Sequence, residues 1–143
     1  MDKLKGLVIQ FMKFGMVGAI NTILSYGITN GMYYLLNLNE QMSNIIAFTI
    51  TVFISFILNR KFVFNVKNEK NNDAKNWIKS LLKVYISYSI TGLFLTAGLL
   101  YLEEQIFKIP HYIATLMNLV VTIPVNFILN KFWAYKGEEK NED

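Results

Sequence analysis

The segment Phe56-Ile57-Leu58-Asn59-Arg60 recurs as Phe127-Ile128-Leu129-Asn130-Lys131, with every residue number raised by 71. Aromatic residues follow both copies at the same distances, Phe62 and Phe64 after the first and Trp133 and Tyr135 after the second. The matching aromatics and the cation that closes each copy argue against a chance identity in an apolar chain. An internal repeat of this kind predicts two tandem units. Each unit is expected to end with an asparagine and a cation where a helix leaves a bilayer.

Apolar residues are concentrated in four stretches that lack Asp, Glu, Lys and Arg. Hydrophobic residues make up 53% of the 143 residues. About 20 apolar residues at roughly 1.5 Å each cross a hydrocarbon core of about 30 Å. The chain is therefore predicted to be an all-α membrane protein, a single domain over residues 1–143 with four transmembrane helices. The four stretches are Phe14–Leu36, Met42–Leu58, Val84–Leu102 and Tyr112–Asn130.

The cations are distributed unevenly between the predicted loops. Of the 14 Lys and Arg residues, only Lys108 lies in the two short loops Asn37–Gln41 and Glu103–His111. The positive-inside bias therefore places both termini and the middle loop in the cytoplasm, with the four helices in the cell membrane. Each repeat is then a hairpin that returns to its starting side. This predicts parallel repeats around a pseudo-twofold axis along the membrane normal, at about 11–64 and 81–135, joined by a cytoplasmic loop at 65–80.

This orientation gives a direct labelling prediction. Single cysteines at Asn39 and Gln105 are expected to react with a membrane-impermeant maleimide in intact cells, whereas a cysteine at Asn71 is expected to react only after lysis. The chain has no native cysteine to interfere. Labelling of position 71 from outside would reverse the orientation.

Lys75, Lys79 and Lys83 recur every four residues, with apolar residues between them. This spacing predicts an amphipathic helix lying at the membrane interface. Two roles are open, an anchor that fixes the topology and a collar that attracts anionic lipid headgroups.

Residue combinations typical of catalysis are missing from the sequence. The one histidine, His111, has no cysteine or second histidine with which to bind a metal, and the carboxylates fall in predicted loops or tails. An enzyme, a bound metal, a cofactor and a nucleic-acid partner are therefore not expected. The predicted spans also lack the ionisable residue on which proton-driven exporters depend, which disfavours that class and cation channels.

The repeated helix ends are the best candidate site. Arg60 offers a planar fork and Lys131 a point charge to a phosphate monoester, with Lys61 beside them and Asn59 and Asn130 as amide donors. Two copies around the pseudo-twofold axis are expected to place both cations near one anionic headgroup. Alternatively, these cations only snorkel to the interface and fix the topology. Three asparagines within the spans are expected to line a polar groove: Asn21, Asn118 and Asn126.

Several segments together resemble a known family. Lys13-Phe14-Gly15, Val17-Gly18-Ala19 and Asn21-Thr22 resemble the opening of GtrA-like membrane proteins. The segment 56–64 looks like their signature at the end of helix two, and Asn126-Phe127 with Lys131 and Trp133 resembles their closing signature. Here Lys131 stands where the motif often carries arginine, and Ala134-Tyr135 replaces the usual valine and phenylalanine.

The resemblance implies a role in cell-surface polysaccharide or teichoic acid glycosylation of the cell wall. GtrA-like proteins are proposed to flip polyprenyl-phosphate-linked monosaccharides to the outer face of the membrane. The expected partners are the sugar lipid, membrane glycosyltransferases and further copies of the chain. The alternative is a scaffold that recruits a glycosyltransferase without transporting anything. For that scaffold, interface surfaces would matter more than Arg60 and Lys131.

Overall fold

The computed structural model describes residues 2–66 and 74–136, and every element within them is helical. We number four helices, which are α1 (Asp2–Leu35), α2 (Glu40–Val63), α3 (Ala74–Ile106) and α4 (His111–Ala134). All four are long and apolar enough to cross a membrane. The prediction of an all-α fold with four helices long and apolar enough to cross a membrane is confirmed for the described residues.

Local sequence explains where the short connections begin and end. Asn39 caps α2, because its side-chain oxygen accepts a hydrogen bond from the Met42 backbone nitrogen at 2.8 Å. Pro110 precedes α4, where its fixed backbone angle suits a helix start and its carbonyl accepts from the Ala114 nitrogen at 3.0 Å. Asn37 and Lys108 lie where the chain reverses direction between helices. Both adopt the left-handed backbone conformation, with φ of 52° and 55°.

The described residues form two compact units, 2–66 and 74–136. In the first unit α1 packs against α2, and the Thr29 hydroxyl donates a hydrogen bond to Asn44 Oδ1 at 3.3 Å. In the second unit α3 packs against α4, and the Thr91 hydroxyl donates to Asn126 Oδ1 at 2.7 Å. Each unit is therefore a helical hairpin with a polar cross-link between its helices.

The helices extend beyond the predicted charge-free spans. The 33 residues of α3 correspond to about 50 Å of helix, longer than the roughly 30 Å hydrocarbon core. The lysine-rich segment 75–83 is thus the start of α3 and not a separate interfacial helix. Glu103 and Glu104 belong to α3 as well, so placing them in a loop was wrong. Of the predicted loop 65–80, residues 67–73 lie outside the described residues and 74–80 are helical. The charged residues therefore mark the end of an apolar stretch and not the end of the helix.

The buried residues of α4 occupy the same positions of the repeat as buried residues of α2. Every buried residue from Ala114 to Tyr135 has a buried counterpart 71 positions earlier. The shared spacing of mostly four residues marks one face of each helix as the packing face. Each hairpin therefore uses equivalent positions of its second helix for its core. The pairs are Ser43 and Ala114, Ala47 and Asn118, Thr51 and Thr122, Phe56 and Phe127, Asn59 and Asn130, Val63 and Ala134, and Phe64 and Tyr135.

The glycines of α1 lead to a prediction about self-association. A Cβ atom built at Gly18 or Gly27 meets no atom within 4 Å among the described residues, apart from those of its own helical turn. Such small-residue surfaces allow close approach of a helix from another copy. Gly27→Leu is therefore expected to weaken a homo-oligomer about tenfold, measured by energy transfer between labelled copies in liposomes. Gly98→Leu, equally open but on α3, is the control. A strictly monomeric wild-type protein would contradict this expectation.

Candidate functional site

The repeated motif changes the helix geometry at the same residue in both hairpins. From Asn59 to Val63 and from Asn130 to Ala134 the chain is a π-helix. The Phe64 nitrogen donates to the Asn59 carbonyl, and the Tyr135 nitrogen donates to the Asn130 carbonyl, both at 2.9 Å. π-helical turns are rare and are found frequently at functional sites. The motif therefore builds two equivalent widened helix ends.

The two repeated asparagines are fully buried in these ends. Asn59 Nδ2 donates to the Ser55 hydroxyl at 3.3 Å, and Asn130 Nδ2 donates to the Asn126 carbonyl at 2.7 Å. Within the part of the chain that the structure describes, neither side-chain oxygen has a hydrogen-bond partner. An amide nitrogen carries two hydrogens, so each asparagine keeps one further donor. Their role as phosphate donors stays a prediction.

The three cations of these ends differ in exposure. Arg60 is only 6% exposed, and its guanidinium carbon lies 6.0 Å from the centre of the Phe56 ring. Lys131, its counterpart in the second hairpin, is half-buried, whereas Lys61 is exposed. A cation shielded from water interacts more strongly with an anion than a fully solvated cation does. Arg60 and Lys131 are therefore more shielded from water than Lys61, and the phosphate-binding role of all three stays a prediction.

In each hairpin, a lysine of the first helix contacts an aromatic residue in the π-helical end of the second helix. These two contacts were not predicted from the sequence. Lys13 Nζ lies 5.0 Å from the centre of the Phe62 ring. Lys83 Nζ lies 5.8 Å from the Trp133 ring and donates to the Trp133 carbonyl at 3.0 Å. Both are cation–π contacts. The repeated sequence pattern could have indicated both contacts. Each lysine directly precedes an apolar span, and each aromatic residue lies two positions after the cation of the motif.

The three predicted groove asparagines have different surroundings. Asn21 is half-buried, and its side-chain oxygen has no partner among residues 2–66 and 74–136. Asn126 accepts the hydrogen bond from Thr91 described above. Asn118 is 3% exposed, and its Nδ2 donates to Glu103 Oε2 at 3.1 Å. Their proposed role as the lining of one groove stays a prediction.

Glu103 corrects the expectation that every carboxylate lies in a loop or a tail. It is 8% exposed and lies in a π-helical segment of α3, Leu102–Ile106. Its neighbour Glu104 is within hydrogen-bond distance of the His111 ring. Glu103 was missed because the charge-free window ended at Leu102. The one indication of its position in the sequence was that Glu103 directly follows an apolar stretch.

The comparison with known protein families matches residues 13–135 to the family described as GtrA/DPMS, transmembrane domain. The chain belongs to this GtrA/DPMS family. The resemblance inferred from the motifs is thereby confirmed. No curated protein and no solved structure gave a match.

The match to the GtrA/DPMS family begins at Lys13 and ends at Tyr135. It therefore spans both π-helical ends, both lysine–aromatic contacts and the Glu103–Asn118 pair. Together with the four apolar helices, membership makes the chain a multi-pass membrane protein. It also indicates a glycosylation-related membrane function.

Proposed function

We propose that this protein translocates a polyprenyl-phosphate-linked monosaccharide across the bacterial cytoplasmic membrane. The translocated sugar supplies cell-surface polysaccharide or teichoic acid glycosylation. The observation that supports this most is the pair of matching π-helical ends, each with a buried asparagine followed by a cation. Family membership supports the glycosylation context.

The proposed topology follows from the charge distribution. Both termini lie in the cytoplasm, and the two hairpins are tandem parallel repeats. The ends at Asn59–Val63 and Asn130–Ala134 then face the cytoplasm, where polyprenyl-phosphate sugars are made. A membrane glycosyltransferase is the expected partner on either side of the translocation step.

The proposed residue roles follow from the chemistry of the lipid. Arg60 binds phosphate oxygens through its fork, and Lys131 and Lys61 add positive charge. Asn59 and Asn130 contribute their remaining amide hydrogens. Asn21, Asn118 and Asn126 offer polar contacts to the sugar, because an unpartnered polar headgroup in hydrocarbon costs several kcal/mol. The polyprenyl chain stays in the lipid, and transport runs downhill as the sugar is consumed outside.

Reconstitution tests transport directly. Purified protein in liposomes with a fluorescent polyprenyl-phosphate glucose is expected to expose the inner-leaflet lipid to a membrane-impermeant quencher within minutes. Protein-free liposomes are expected to keep about half of the fluorescence protected. If the protein leaves that protected half intact with every sugar tested, translocation is excluded. A non-transporting scaffold for a glycosyltransferase then becomes the better account.

A further inference from the structure

We propose that Glu103 and Asn118 form a second binding subsite, one that recognises hydroxyl groups of the sugar and not the phosphate. The pair joins the C-terminal end of α3 to α4 through the 3.1 Å bond from Asn118 Nδ2 to Glu103 Oε2. This inference rests on the proposed function for the identity of the lipid, and it assigns the sugar its own place on the protein.

The first support is an unused hydrogen-bond acceptor. Asn118 is buried, and its Oδ1 has no partner in residues 2–66 and 74–136. A buried polar atom without a hydrogen bond costs about 1–3 kcal/mol, so it is rarely kept without a purpose. A ligand hydroxyl would supply the missing donor.

The second support comes from the first hairpin, which serves as an internal control. The position that corresponds to Asn118 carries Ala47, which is also fully buried. At this position of the repeat, the α1–α2 hairpin therefore packs with only the methyl group of Ala47. The carboxylate–amide pair of the second hairpin is an addition to the packing and not a requirement of it.

The third support is the electrostatic setting of Glu103. Within the described residues no cation lies at ion-pair distance from Glu103, and the nearby His111 pairs with Glu104. A largely buried carboxylate with one amide donor has acceptor capacity to spare. It would repel a phosphate, whereas sugar hydroxyls offer it the donors that it lacks. The chemistry therefore favours a neutral polyol.

The position of the pair separates it from the phosphate end. Asn118 lies 13 residues before Lys131 on α4, which corresponds to about 20 Å of helix. The phosphate of a lipid-linked monosaccharide cannot contact Lys131 while its sugar contacts Asn118. The subsite therefore engages the sugar after the headgroup has left that cationic end, on the outer side of the proposed topology.

Lipid binding in nanodiscs tests the subsite separately from transport. The probes are undecaprenyl phosphates carrying glucose, galactose or N-acetylglucosamine, and undecaprenyl methyl phosphate. The methyl ester, the bare phosphate of this test, carries no sugar but the same single negative charge as the sugar lipids. Wild-type protein is expected to bind at least one sugar lipid about tenfold more tightly than the bare phosphate, because the sugar lipid has the subsite available in addition to the cationic end. Asn118→Ala, which installs the residue found at position 47, and Glu103→Gln are expected to remove this difference and leave bare-phosphate affinity unchanged.

Thr115→Ala is the matched control, because Thr115 is an exposed hydroxyl residue one turn before Asn118 and its hydroxyl donates to the His111 carbonyl. It is expected to keep the preference for the sugar lipid. Equal weakening of sugar lipid and bare phosphate in the Glu103 and Asn118 variants would make the pair structural and overturn the subsite. A wild-type protein without sugar preference would overturn it too. Sugar preference without translocation in liposomes would leave the subsite standing and overturn the proposed transport.

Discussion

Arg60→Ala is expected to reduce translocation of the fluorescent polyprenyl-phosphate sugar by about 100-fold or more. Removing a charged partner from a desolvated ion pair costs roughly 3–5 kcal/mol, and Arg60 is largely buried at the end of α2. Arg60→Lys keeps the charge and loses the fork, so partial transport is expected. The initial rate of quenching in liposomes at equal protein density measures both variants.

Lys131→Ala is expected to produce a loss similar to that of Arg60→Ala, because Lys131 occupies the equivalent position of the second π-helical end. Lys79→Ala is the control, since it removes an exposed lysine from α3 outside the motif. Transport at the wild-type rate in all three alanine variants would reduce the motif to a topology anchor. It would then favour a scaffold over a transporter.

Tyr135→Ala is expected to lower the free energy of unfolding by about 3–5 kcal/mol, the range for deleting a large buried aromatic side chain. Tyr135 is fully buried directly after the π-helical end of α4, and its backbone nitrogen closes that turn. Phe64→Ala, at the equivalent position after α2, is expected to cost about as much. Reversible unfolding in mixed micelles, followed by circular dichroism against denaturing detergent, measures the change.

Phe132→Ala is the matched control for these two variants. Phe132 lies three residues before Tyr135 and is 60% exposed, so its loss is expected to change the unfolding free energy by less than about 1 kcal/mol. If the exposed and buried aromatic variants unfold alike, the π-helical ends are not part of the stable core.

Much of the fold was predictable because a bilayer imposes a strong constraint. Charge-free stretches of about 20 residues identified all four helices, since a backbone in hydrocarbon must satisfy its own hydrogen bonds. The helix limits were less predictable. Apolar content marks the hydrocarbon, whereas α3 continues to both sides of its charge-free stretch, at Lys75 and at Glu103. The family could also be predicted from the sequence, because its signatures at 56–64 and 126–133 are short continuous segments.

The sequence by itself determined the number of helices, the repeated Asn-Arg and Asn-Lys ends and the family. These properties depend on composition and on neighbours along the chain. Only the tertiary structure decided that both ends are π-helical, that Lys13 and Lys83 lie over aromatic rings, and that Glu103 meets Asn118. The physical reason is that each of these contacts needs a particular rotation and register of one helix against its neighbour. That register is set by the packing of whole helix faces, which a linear motif does not contain.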